Sequence, residues 1–212
     1  MIKVTISIPA FLFSLAVYNK ATAQINDSLC DQYLSKAKNY IGEDQYRKAI
    51  PFLDSCIGMN NKDAAVYNLR GCATIYQDVL NDTKNNQQAI LFFNKAIAMD
   101  STNYWYIANR AHAWQNLDKF KNSLSDYKKA LSLDTTNVEL HGDVLRSLWI
   151  QNRNKEAFAY CSKIIQQFPA HGYAWYVRGQ LKRDYLHQYP EGNKDIKKSE
   201  ELGWAQGLRL YY

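Results

Sequence analysis

The sequence predicts an all-α solenoid of about five antiparallel helix pairs, and two observations carry that prediction. Residues 93–103 (FNKAIAMDSTN) and 127–137 (YKKALSLDTTN) are near-copies, 127−93=34 positions apart. Compact residues recur with the same period on both sides of that echo. A self-similar period of this size marks stacked helix–turn–helix units, because one helix pair alone cannot bury its apolar face.

The first element is the N-terminal stretch MIKVTISIPAFLFSLAVYNKATAQ. Lys3 gives it a positive start, the run from Val4 to Val17 is largely apolar, and Ala21-Thr22-Ala23 supplies small residues. Residues 1–23 are expected to be a secretory signal peptide cleaved after Ala23, too short to span a bilayer comfortably. The mature chain is therefore expected outside the cytoplasm, secreted or periplasmic, with no membrane insertion.

Five repeats follow, at approximately 30–63, 64–103, 104–137, 138–171 and 172–203. The compact position of the first helix falls at Ala37, Gly71, Ala111, Leu145 and Gly179. The spacings are 71−37=34, 111−71=40, 145−111=34 and 179−145=34, so the second unit carries six extra residues. The second helix shows a small residue at Ala49, Ala89, Ser123, Ala157 and Gly192. Seven positions on, a second compact residue stands at Cys56, Ala96, Ala130, Ile164 and Ser199. Two helices approach closely only where both present small side chains, while bulky neighbours such as Tyr40, Phe93, Trp114 and Phe120 interlock a turn away. Leu145 and Ile164 predict looser packing in the fourth unit. The six-residue insertion, around Tyr76 to Lys84, is expected to lengthen the first helix or the loop after it. Pro51, inside the second helix of the first unit, removes a backbone donor and is expected to bend or locally loosen that helix. Residues 204–212 form a C-terminal cap or tail.

The segments YLSKAKNYIGEDQYRKAIPFLDSCI, YIANRAHAWQNLDKFKNSLSDYKKAL and LWIQNRNKEAFAYCSKIIQQFP resemble the tetratricopeptide repeat. The resemblance covers about residues 30–203. The last unit, GQLKRDYLHQYPEGNKDIKKSEELG, departs from the pattern by one extra residue. The resemblance implies a right-handed superhelix whose first helices line a concave face that binds a protein or peptide. Helical periodicity from the packing residues assigns Asn68, Trp105, Asn109, His112, Asp143, Arg146, Trp149, Tyr173 and Tyr176, among others, to that face. Some members of the family grip terminal carboxylates of chaperone tails with lysine, asparagine and arginine. Leu34, Lys38, Leu69, Trp105 and Asn109 stand at the corresponding places, so that clamp is not expected.

Composition excludes several other classes. The formal charge is +6, and removing Lys3 and Lys20 with the signal leaves 24−20=+4. This mild, dispersed excess is not the concentrated basic stripe of a nucleic-acid binder. The nine glycines form no phosphate loop, and neither G-x-S-x-G nor H-E-x-x-H occurs. His112, His141, His171 and His187 are widely scattered, so no metal site, cofactor or catalytic group is expected. The four cysteines form no C-x-x-C pair. Cys30 opens a first helix and Cys56 closes its antiparallel partner, so an oxidising compartment would allow a Cys30–Cys56 disulfide. Cys56 alternatively serves as a small core residue. The expected function is a non-catalytic interaction scaffold of the bacterial envelope with a groove for peptide or protein. The alternative is a structural subunit of an envelope assembly, held through its ends or convex face.

Overall fold

The computed structural model describes residues 8–59, 62–77 and 82–204, with side chains from Lys20 onward except Ala21. Among these residues the structure is all-α. Ten helices follow in order: α1 (Ile8–Gly42), α2 (Tyr46–Gly58), α3 (Ala64–Tyr76), α4 (Thr83–Met99), α5 (Tyr104–Asn116), α6 (Phe120–Leu133), α7 (Val138–Ile150), α8 (Asn154–Gln167), α9 (Gly172–Gln180) and α10 (Tyr189–Glu201). A π-helical turn, Leu181–Tyr185, extends α9. The chain divides into two units, residues 1–100 and 101–212. In the first, α1 packs on α2, α2 on α3 and α3 on α4; in the second, α5 to α10 pack in the same sequential way.

The local sequence explains where these helices start. Asp63, Asn103 and Asn137 each accept a backbone N–H of the following first turn, opening α3, α5 and α7. This is the N-cap bond that short polar side chains make best. One period later stands His171, whose Nδ1 accepts from the Ala174 N–H and opens α9 in the same way. The tight turns inside the pairs have a second signature. Asp44, Asp118, Asn152 and His187 all adopt positive φ, between 54° and 56°. Asp and Asn tolerate this left-handed conformation better than most residues.

Every compact position read from the period is buried. Ala37, Ala111, Leu145, Ala49, Ala89, Ser123, Ala157, Cys56, Ala96, Ala130, Ile164 and Ser199 are all 0% exposed. Gly71 is needed because a Cβ there would lie 2.5 Å from the Phe93 ring, and Gly179 because a Cβ would lie 2.8 Å from the Gly192 carbonyl oxygen. Of the five pairs, α7 and α8 approach least closely, as Leu145 and Ile164 lead one to expect.

Three features differ from the sequence reading or refine it. The insertion does not lengthen the first helix, since α3 has 13 residues, as do α5 and α7. It divides instead between the connection and the second helix. Six residues (77–82) separate α3 from α4, against three (117–119) between α5 and α6. Helix α4 starts 89−83=6 residues before its small position, against 123−120=3 for α6. Residues 78–81 of this insertion lie outside the described residues. Pro51 is accommodated within a continuous α2, where the Ser55 hydroxyl donates to the Pro51 carbonyl. The extra residue of the last unit is absorbed by the π-helical turn, the usual form of a one-residue insertion in a helix.

Cys30 and Cys56 are joined in a disulfide with a Cα–Cα distance of 5.0 Å, fastening α1 to the end of α2. Helix α1 runs without a break through Ala23; residues 1–7 of the expected signal lie outside the described residues. Among the described residues no helix is long and apolar enough to cross a membrane. Most of the expected C-terminal cap, residues 205–212, also lies outside them. Its first residue, Trp204, folds back toward α9, with its ring 5.0 Å from that of Tyr173.

Candidate functional site

The first helices of the second unit, α5, α7 and α9, contain one arginine each. Their placement relative to the compact residue decides what each can do. Arg110 and Arg178 directly precede Ala111 and Gly179, and each points into its own helix pair. Arg110 donates to both carboxylate oxygens of Asp126 at 2.7 and 2.8 Å, and Arg178 to both of Asp195 at 2.6 and 2.9 Å. Lys182 also reaches Asp195 at 2.9 Å. These bidentate pairs are largely shielded from water, so their geometry holds both partners in place. Arg146 instead follows Leu145. That two-position offset turns it about 200° round the helix, away from the pair interior.

The same internal position varies instructively along the chain. Lys36 lies over the Phe52 ring at 5.7 Å and Arg70 over the Phe92 ring at 4.9 Å. Arg70 also reaches back to Asp54 at 2.6 Å. In the fourth pair the cation is replaced by Val144, and Tyr160 donates to His141 at 2.8 Å. The cation before the compact residue is thus answered by an aromatic ring or an aspartate 16 or 17 residues later, or 92−70=22 across the insertion. That pattern was legible in the sequence but was not part of its reading.

On the other side of α7 a mixed polar and aromatic cluster forms. Arg146 lies 3.7 Å from Asp143 through one nitrogen, and both side chains remain about a quarter exposed, 29% and 26%. The Arg146 guanidinium also lies against the Tyr173 hydroxyl of α9, and its charge acts on His112 of α5. Trp149 faces two tyrosines of α9. Its ring is 6.4 Å from Tyr173 and 6.0 Å from Tyr176, the latter edge-on at 76°. Gln180 donates to the Tyr176 hydroxyl at 3.1 Å. Burial shapes the titration of the cluster. Desolvation pushes the Asp143 carboxyl up to about 6 against the pull of Arg146, and Glu139 adds to the rise. Desolvation and the Arg146 charge hold His112 below its ordinary value. Burial raises Tyr173.

The structure thus brings together His112, Asp143, Arg146, Trp149, Tyr173 and Tyr176 of the expected face, and adds Trp204. Trp105 is 51% exposed and stacks on Tyr104 at the start of α5, so its ring partner lies outside this cluster. Asn109 lies on α5, half-buried. Asn68 lies on α3 of the first unit, half-buried. Trp204 escaped the sequence reading as a partner of Tyr173 because its position depends on the chain reversal after Gly203.

His141 and His171 are structural, whereas His187 is exposed in the turn before α10. His141 Nε2 donates to the Thr135 carbonyl and its Nδ1 accepts from Tyr160, while His171 Nε2 donates to the Val138 carbonyl. Each ring is therefore held in one neutral tautomer, and desolvation lowers both below the usual histidine value. Among the described residues no group of three or more His, Cys, Asp or Glu side chains is gathered as a metal site. Cys72 and Cys161 lie outside the disulfide, and burial pushes both thiols up to about 12, far from the thiolate form that reactivity requires.

No family model matches the sequence. Solved structures do. A MamA structure superposes with a TM-score of 0.68 and 15% identity, over 79% of this chain and 94% of that one. MamA from Desulfovibrio magneticus RS-1 gives a TM-score of 0.70 and 11% identity, over 84% and 97%. YrrB, described as a TPR protein with an unusual peptide-binding site, gives 0.66 and 18%, over 84% and 89%. At these identities the likeness is one of fold, the helical-repeat solenoid.

Proposed function

We propose, on the premise of this tetratricopeptide-repeat fold, that the chain is a non-catalytic interaction scaffold that holds a peptide or protein partner. The observation that carries the reading is the Trp149–Tyr173–Tyr176 group beside Arg146, on two neighbouring first helices of one unit. Large aromatic rings beside an arginine are the residue types that dominate interface energetics. That YrrB is described as having a peptide-binding site supports a peptide-sized ligand for this fold. Trp105, Asn109 and His112 extend the proposed binding face within the second unit, and Asn68 is the proposed contact of the first. The apolar N-terminal run and Ala21-Thr22-Ala23 support export with cleavage after Ala23, and hence a place in the periplasm or outside the cell.

The test is crosslinked capture of partners from an envelope fraction by the mature chain and by a Trp149→Ala/Tyr176→Ala variant. Loss of capture with helical circular dichroism unchanged is expected. Capture that survives the double change would remove the binding role from this face and favour a subunit held through its ends or convex side.

A further inference from the structure

Resting on the reading of this face as a binding surface, we infer that it selects an acidic, aromatic-bearing peptide segment, and that Asp143 occupies Arg146 as an internal stand-in for the ligand's carboxylate. The geometry carries this. Arg110 and Arg178 are each closed by two short bonds to an aspartate of their own pair, between 2.6 and 2.9 Å. Arg146, the third arginine of these first helices, meets a carboxylate only at 3.7 Å and through one nitrogen. Guanidinium geometry is completed by a two-toothed carboxylate. Asp143, only three residues away on the same helix, does not supply that fit here. A ligand carboxylate approaching from solvent can. Residues 101–212, the unit that carries this face, have 16 Lys and Arg against 11 Asp and Glu, 16−11=+5, which favours an acidic partner. Beside Arg146, Trp149 and Tyr176 offer ring surface for an adjacent aromatic side chain.

Asp143 opposes the ligand while it is ionised, because it shares the cation and repels a second carboxylate. Protonation releases Arg146 and removes the repulsion. The carboxyl sits at about 6, so this release falls in mildly acidic solution. The charged and titratable groups around it are few. Glu139 and Arg146 share α7 with it, His112 of α5 and Tyr173 of α9 meet Arg146, and Cys161 of α8 acts on Tyr173. Asp126 of α6 is committed to Arg110.

The experiment uses a fluorescein-labelled peptide of alternating Asp and Phe, with Lys/Phe and Asn/Phe versions of the same length. Anisotropy is read at pH 7.5 and 5.5, where the peptide's aspartates stay ionised. The acidic peptide is expected to bind best and to tighten several-fold at the lower pH. Arg146→Gln is expected to weaken it about tenfold or more, the loss of a charge-assisted contact. Asp143→Asn is expected to tighten it at pH 7.5 and to abolish the pH dependence. Stronger binding of the Lys peptide, no binding of the Asp peptide, or a pH effect that persists in Asp143→Asn would each overturn the inference. Indifference to Arg146→Gln together with loss in Trp149→Ala/Tyr176→Ala would overturn it while leaving the scaffold reading intact.

Discussion

Replacing Gly179 with alanine tests whether close approach of the paired helices holds the last unit together. An alanine inside a helix normally stabilises it by about 1 kcal/mol over glycine. Here the added Cβ would sit 2.8 Å from the Gly192 carbonyl oxygen, 2.7 Å from Ile196 Cγ1 and 3.0 Å from the Ile196 nitrogen. The Ile196 side chain can turn aside, but the carbonyl belongs to the α10 backbone, so α9 and α10 must separate by several tenths of an ångström. Overpacking of this kind costs roughly 1–3 kcal/mol. The net expectation is a loss of about 1–2 kcal/mol. Gly58, where an added Cβ would meet nothing within 4 Å, is the matched control. There the same change should stabilise by about 0.5–1 kcal/mol. With a urea slope of about 2 kcal/mol/M, the two variants should unfold about 1 M apart, read by circular dichroism. A Gly179→Ala protein as stable as its parent would refute the packing argument.

Three further outcomes follow from the same structure. Replacing Cys30 and Cys56 with serine should lower stability by about 3.5 kcal/mol, the chain-entropy value for a loop of 26 residues; an unchanged urea midpoint would refute it. The denatured, unreduced protein should titrate two thiols, those of Cys72 and Cys161, and four would show that the bridge is absent. Stability should depend on pH through His112, His141 and His171, whose folded-state values lie below 6.5. The unfolded chain then binds more protons in that window, so stability is complete above about 6.5 and is lost as the pH falls through the folded values. Asp143, raised to about 6, works the other way, since the folded state holds its proton more tightly and gains stability as the pH falls. In an Asp143→Asn background, melting temperatures between pH 7.5 and 5.5 should therefore fall, and less so with His171→Asn added, which keeps a cap that needs no unprotonated imidazole; a flat profile in Asp143→Asn would contradict this.

The helix pairs were legible because their packing rests on size at fixed spacing, which a sequence displays directly. Ala49, Cys56, Ala89 and Ala96 could be placed in the core with no knowledge of their neighbours. The division of the insertion between a connection and α4 was not legible, since Asp82 acts as a cap only once the helix starts there; its side chain then accepts the Asn85 N–H. The site was half legible. Periodicity put Arg146 and Tyr176 on one face, but it could not show that Asp143 stops at 3.7 Å or that Trp204 returns to Tyr173. Those facts depend on side-chain direction and on the course of the chain after the last helix.

The Arg110–Asp126 and Arg178–Asp195 pairs have a consequence for how such an array is inherited. Each cation and its counter-charge lie within a single helix pair, so copying that stretch of gene transmits both together and the new repeat arrives electrically complete. Arg70 is different, because Asp54 belongs to the preceding pair. A duplication cut between them would separate cation from carboxylate, and the Phe92 ring and the Thr74 hydroxyl would travel with the arginine.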